Sequence, residues 1–127
     1  REYFNSEGGV SMEYYTNIIS QLETAYPDQN LAIHIYSQGK DEDFSIFRDL
    51  HPNVTLHIGE YPPVTLYHMV NADILLMANS SLSYLAHLYG RAFTIGRETF
   101  HHNLYDETHC RADSHGKFDI EKLPNYE

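Results

Sequence analysis

The 127 residues suffice for one domain with a single core and fall short of a two-lobed enzyme with its active site between domains. Lys and Arg number 8 against 18 Asp and Glu, a formal charge of −10, which argues against a protein that binds nucleic-acid phosphates through a basic surface. Apolar residues at 42% supply a core, no run approaches the ~18 consecutive apolar residues of a membrane span, and the lone Cys110 excludes an intramolecular disulfide, a Cys-rich zinc site and a CxxC redox pair.

The stretch Arg1 to Gly9 begins without Met and has no apolar signal region, so the chain reads as part of a longer polypeptide and its compartment is not encoded here. Met12, Tyr15, Ile19, Leu22 and Tyr26 follow at offsets of three and four, which predicts a helix over 10–26 with Ser11 as N-cap and Pro27 as stop. Leu31 to Ser37 is a β-favouring run ending near Gly39, and the acidic Asp41-Glu42-Asp43-Phe44 can open a short helix through Arg48. Val54 to Ile58 is a second strand after the turn signal His51-Pro52-Asn53, and Pro62-Pro63 starts a helix through Val70.

Asp73 to Ala78 is a continuous apolar run after its first residue, the pattern of a central strand buried on both faces. Leu82, Leu85, Ala86 and Tyr89 then share a helical face that stops at Gly90, a residue suited to the left-handed position after a helix. Arg91 to Gly96 is a last strand, and Arg97 to Glu127 is polar, His-rich and poorly periodic. Strands alternating with helices predict an α/β fold: a Rossmann-like parallel sheet of about four strands with helices on both faces. Residues 1–100 form the expected domain, and 101–127 a segment of it that could serve as a tail or lid.

In an open α/β sheet, ligands bind beyond the carboxyl ends of the strands, where helix N-termini present free N–H groups. Asn79-Ser80-Ser81 occupies that place, with Ser83 one turn further in. An acidic domain can hold a diphosphate there with backbone N–H groups and hydroxyls instead of lysines. The plainer alternative is that Asn79 or Ser80 only caps the helix.

The run from Thr65 to Ala86, with Ala72-Asp73, a hydrophobic strand and then Asn79-Ser80-Ser81-Leu82-Ser83, resembles the donor-binding motif of GT-B fucosyltransferases of the α1,2 and α1,6 types. Tyr14-Tyr15, Ile35-Tyr36-Ser37 and Asp41 to Asp43 occur in a similar upstream order, so the likeness spans about 10–97. The resemblance implies half of a GT-B glycosyltransferase that binds a nucleotide sugar such as GDP-fucose and transfers the sugar to a glycan acceptor by an inverting mechanism without metal or other cofactor. It implies Ser80 and Ser81 at the pyrophosphate, with Asn79, Ser83 and Thr65 as further donor contacts; His68 could face the sugar or the base as another, the plainer alternative being a packed or surface histidine on an otherwise apolar helix. Thr65 falls where one such family places an acidic residue that reads guanine; threonine cannot accept that bidentate pair of hydrogen bonds.

These enzymes also carry a His-x-Arg-Arg-Gly-Asp-like segment whose arginine stabilises the departing phosphate. No such segment occurs in this sequence, so catalytic residues stay unassigned and the acceptor half is expected elsewhere in the polypeptide. His101, His102, His109, Cys110 and His115, with Asp106 and Asp113, invite a metal reading, but they match no H-E-x-x-H or C-x-x-C spacing and no metal site is assigned. Arg97 lies at a carboxyl end where it could approach a phosphate, and Asp41 to Asp43 could cap a helix or touch donor ribose. The competing readings are a sugar-isomerase-like phosphosugar-binding module, which would want a glycine after Ser81, and a phospho-receiver domain, which would want an Asp at the carboxyl end of a strand, whereas Asp73 begins one.

Overall fold

The computed structural model describes residues 12–37, 41–77, 81–98 and 108–126. The first helix, α1 (Met12–Ala25), buries Tyr14, Tyr15, Ile18, Ile19 and Leu22 on one face. The expected stripe is therefore right in its main members but turned toward Tyr14 and Ile18, while Met12 packs at the margin of the core. Ser11, the expected cap, lies outside the described residues, as does Gly39.

Strand β1 (Ile33–Ser37) leads through a 3-10 turn (Asp41–Phe44) into the short helix α2 (Ser45–Leu50), which returns the chain to β2 (Val54–Ile58). The two strands pair in parallel, with Ile33 opposite Val54 and Tyr36 opposite His57. Helix α3 (Pro62–Val70) starts on its two prolines as expected, since a first-turn N–H has no helical partner to lose. Then come β3 (Ile74–Leu76), α4 (Ser81–Tyr89), β4 (Phe93–Arg97) and β5 (His109–Ala112), with all strand pairings parallel.

The α/β class with parallel strands is thus observed, but the strand arrangement differs from the sequence-based expectation. Among the described residues five strands form a two-stranded sheet, β1-β2, and a three-stranded sheet ordered β3-β4-β5. The apolar run at 73–78 yields a strand of only three residues, and it stands at the edge of its sheet, not in the centre. The middle strand is β4, whose residues Phe93 to Gly96 are all buried. The small side chains Thr94 and Gly96 hid its central position in a sequence reading based on bulky apolar runs.

One core joins both sheets. Tyr14, Ile18, Phe44, Phe47, Phe93, Ile95 and Cys110 are among its buried members, with Ile33, Ile35, Val54, Leu56, Ile74 and Leu76 packed against them. A second cluster comprises Leu75, Met77, Ala86 and Ala92, backed by Leu66, Met69 and Val70 of α3. Because successive side chains of a strand point to opposite faces, Ile74 and Leu76 join the first cluster while Leu75 and Met77 join the second. Helices accordingly cover both faces of β3, α1 on one side and α3 with α4 on the other.

The C-terminal segment is more ordered in its role than a polar, aperiodic tail would be. Strand β5 extends the sheet beyond β4, and the residues after it dock on α1. Gln21 donates from Nε2 to the Gly116 carbonyl at 2.7 Å, Tyr26 donates its hydroxyl to Pro124 O, and Phe118 is buried. Gly116 has φ +82, and a Cβ there would stand 2.3 Å from Tyr14 O, so both conformation and space require glycine.

Gly90 ends α4 for a different reason than expected. Its φ is not positive; a Cβ there would meet Ala86 O at 2.7 Å and Val70 O at 2.9 Å, so glycine permits the close approach of the α3 and α4 C-termini. Among the described residues no helix is long and apolar enough to cross a membrane.

Candidate functional site

Two places on the α3/α4 side carry polar chemistry. The first is the junction between β3 and α4. Met77 N–H bonds to Ile95 O at 3.0 Å, which keeps the chain in register with β4 just past the end of β3. Helix α4 begins at Ser81, so its free N–H groups open near a strand carboxyl end. Asn79 and Ser80 lie outside the described residues, as does the side chain of Ser81; Ser83 is buried. Of the other candidates near a phosphate, Arg97 closes β4, and the side chains of Asp41 and Asp43 lie outside the described residues.

The second place was not assembled by sequence reasoning. Tyr36 on β1 and His57 on β2 are register partners, and their rings stack at 4.4 Å between centroids with 16° between planes. His34, two residues before Tyr36 and so on the same strand face, approaches His57 with Nδ1 2.9 Å from Nε2. Glu60 follows β2, and its Oε2 lies 3.1 Å from His57 Nδ1. From α3, Thr65 donates its hydroxyl to Glu60 Oε1 at 2.9 Å, and His68 brings Nδ1 to within 3.3 Å of that oxygen. Thr65 and His68 therefore come together, but around Glu60.

Protonation follows from these contacts. An ionised carboxylate only accepts, so a neutral His57 bonded to it carries its proton on Nδ1, and Nε2 is then the acceptor for His34 Nδ1–H. Partial burial lowers the pKa of His34 from the ordinary 6.5, and the adjacent His57 and His68 add to that shift, because three imidazolium rings at this spacing repel one another. For Glu60, partial burial opposes ionisation. Hydrogen bonds from Thr65 and His57, with the charge that His57 and His68 carry when protonated, outweigh it and hold the carboxyl below its usual range. Burial, with the Glu60 charge beside it, pushes the Tyr36 phenol up to about 12, so this ring acts as an uncharged donor and stacking surface.

The signal for this cluster was present in the sequence. In Ile33-His34-Ile35-Tyr36 and Val54-Thr55-Leu56-His57-Ile58 the apolar side chains alternate with polar or aromatic ones. A strand buried against apolar layers on both faces shows no such alternation. Reading these segments simply as β-favouring runs overlooked their second face.

Among the described residues, the C-terminal histidines give no comparable arrangement. Of that group His109, Cys110, Asp113 and His115 are described; Cys110 is buried, with its thiol pKa pushed up to about 11 mainly by burial. Asp113 accepts backbone N–H bonds from His115 and Lys117, which close a turn. A shallow cleft of about 360 Å³ bordered by Asp73, Tyr89, Arg91 and Tyr126 lies at the amino ends of β3 and β4, opposite the edge where α/β sheets take ligands. In comparisons with known proteins, no family model, no curated protein and no solved structure matches the chain.

Proposed function

We propose that this chain is the donor-binding part of a fucosyltransferase-like glycosyltransferase, a Rossmann-like half of a GT-B enzyme, that holds a nucleotide-diphosphate sugar of the GDP-fucose type. The observation that carries this reading is the β3–α4 junction. A nine-residue helix begins at Ser81 just beyond a strand paired in parallel with the buried β4, in the sequence context Asn79-Ser80-Ser81-Leu82-Ser83.

On this reading the free N–H groups of the first turn of α4 and the hydroxyls of Ser80 and Ser81 donate hydrogen bonds to the pyrophosphate oxygens. This mode of binding suits a chain of net charge −10, which has few cations to offer. The acceptor hydroxyl attacks the anomeric carbon from the opposite side and forms the new C–O bond, its proton passing to a base of the acceptor half or to solvent, while the sugar–phosphate bond breaks and the nucleoside diphosphate leaves with the bonding electrons. Stabilisation of that leaving group belongs to an arginine absent from this sequence, so the chain binds donor and does not turn it over alone. Thr65 is committed to Glu60, which makes it a support for the neighbouring ring cluster in preference to a direct donor contact.

Titration calorimetry with GDP, UDP and a sugar phosphate tests the ligand class. A nucleoside diphosphate is expected to bind and a simple sugar phosphate to bind much more weakly. Preference for the sugar phosphate would replace this reading with a phosphosugar-binding module.

A further inference from the structure

We infer that His57, Glu60 and His68 form a binding site for a borderline divalent transition ion of the Zn²⁺ class, with one coordination position left open. One ligand atom from each residue lies within 4.8 Å of the others. The tighter distances are more telling. Ligands about 2.0–2.1 Å from a tetrahedral zinc stand about 3.3 Å from one another. His57 Nδ1 to Glu60 Oε2 is 3.1 Å and His68 Nδ1 to Glu60 Oε1 is 3.3 Å, so each ring already stands at ligand spacing from one of the two oxygens of the same carboxylate.

A second observation points the same way. His68 Nδ1 is buried and has no hydrogen-bond partner; Glu60 Oε1 is close to it but not aligned for a hydrogen bond. A buried ring nitrogen in that state is costly unless something else meets it. A metal ion between the two rings and the carboxylate would engage the His68 lone pair.

The surroundings supply the outer contacts that metal ligands need. Thr65 Oγ1 donates to Glu60 and orients the carboxylate. His34 Nδ1 is 2.9 Å from His57 Nε2, so metal binding has a defined proton consequence. With the ion on His57 Nδ1, the His57 proton sits on Nε2 and donates to His34 Nδ1, whose own proton moves to Nε2. Both rings stay neutral and exchange tautomers, with no net proton released by this pair. Two imidazoles and one carboxylate favour Zn²⁺ or Co²⁺ over Mg²⁺, which prefers an all-oxygen shell. The ligands come from β2, the loop after it and α3, so the ion would clip α3 to the β1-β2 pair. It plays no part in the donor reading above.

The test titrates chelator-treated protein with Co²⁺, follows visible absorption, displaces the ion with Zn²⁺, and records histidine ¹⁵N spectra. One equivalent of Co²⁺ with a four-coordinate spectrum is expected, together with a switch of His34 and His57 from the Nδ1–H to the Nε2–H tautomer in the wild-type protein. Glu60→Gln and His68→Asn should abolish stoichiometric binding, and Thr65→Val should weaken it by about 10-fold or more. His101→Asn/His102→Asn and Ser81→Ala should leave it unchanged, which separates this site from the C-terminal histidines and from the donor junction. Absence of stoichiometric binding, unchanged His34 and His57 tautomers, or undiminished binding by Glu60→Gln and His68→Asn would overturn the inference.

Discussion

The two faces of the strands are built from different materials. Toward α1 they present Ile33, Ile35, Val54, Leu56, Phe93, Ile95, Cys110 and Ala112, a continuous apolar layer. Toward α3 and α4 the apolar layer narrows to the cluster around Leu75 and Met77. The flanking strands place His34, Tyr36 and His57 on β1 and β2, and Thr94 on β4, which meets the buried His87 of α4 at 2.9 Å. The first face holds the fold together by area removed from water. The second keeps enough polar groups under cover to do chemistry, and both candidate sites open there.

Core truncation gives the largest expected contrast between the faces. Ile95→Ala, on the α1 face and fully buried, should cost about 2–5 kcal/mol in denaturant unfolding at neutral pH. Thr55→Ala, at an exposed position on the same face of β2 as His57, should fall within about 0.5 kcal/mol of wild type. Comparable losses at the two positions would break the contrast.

Next in size, Gly116→Ala should destabilise by more than about 1 kcal/mol, because alanine is strained at φ +82 and its Cβ meets Tyr14 O. Thermal melts of this variant test whether the C-terminal segment belongs to the α1 face. Tyr26→Phe, which removes the hydroxyl donated to Pro124 O, should cost about 1 kcal/mol by the same measurement.

The smallest effect sharpens the polar face through its pH dependence. His34 and His87 both have lowered pKa values, each mainly through burial. The unfolded chain therefore binds more protons than the folded one as pH falls below 6.5, so these groups contribute stability at higher pH that is lost on acidification. The melting temperature should drop from pH 7.5 toward pH 5.5, and His34→Asn/His87→Asn should flatten that slope. An unchanged slope would assign the acid sensitivity elsewhere.

Much of the architecture was legible because it rests on local signals. The spacing in α1, the paired prolines of α3 and the turn before β2 place those elements within a few residues. Strand order was not legible, because pairing between β4 and β5 crosses a polar stretch with no periodicity. The Ser81 junction could be seen because its residues are contiguous. The His57-Glu60-His68 cluster could not, because register between two strands and the docking of a separate helix assemble it, although the alternation in β1 and β2 advertised a polar face.

Titration of the chain with GDP in the presence of EDTA, beside the Ser80→Ala/Ser81→Ala variant, tests the donor-site account most directly. The account predicts that wild type binds GDP with chelator present and that the double variant binds at least about 10-fold more weakly, the scale of a lost hydrogen bond to a charged group. No binding of any nucleoside diphosphate by wild type, or equal affinity in the double variant, would contradict it.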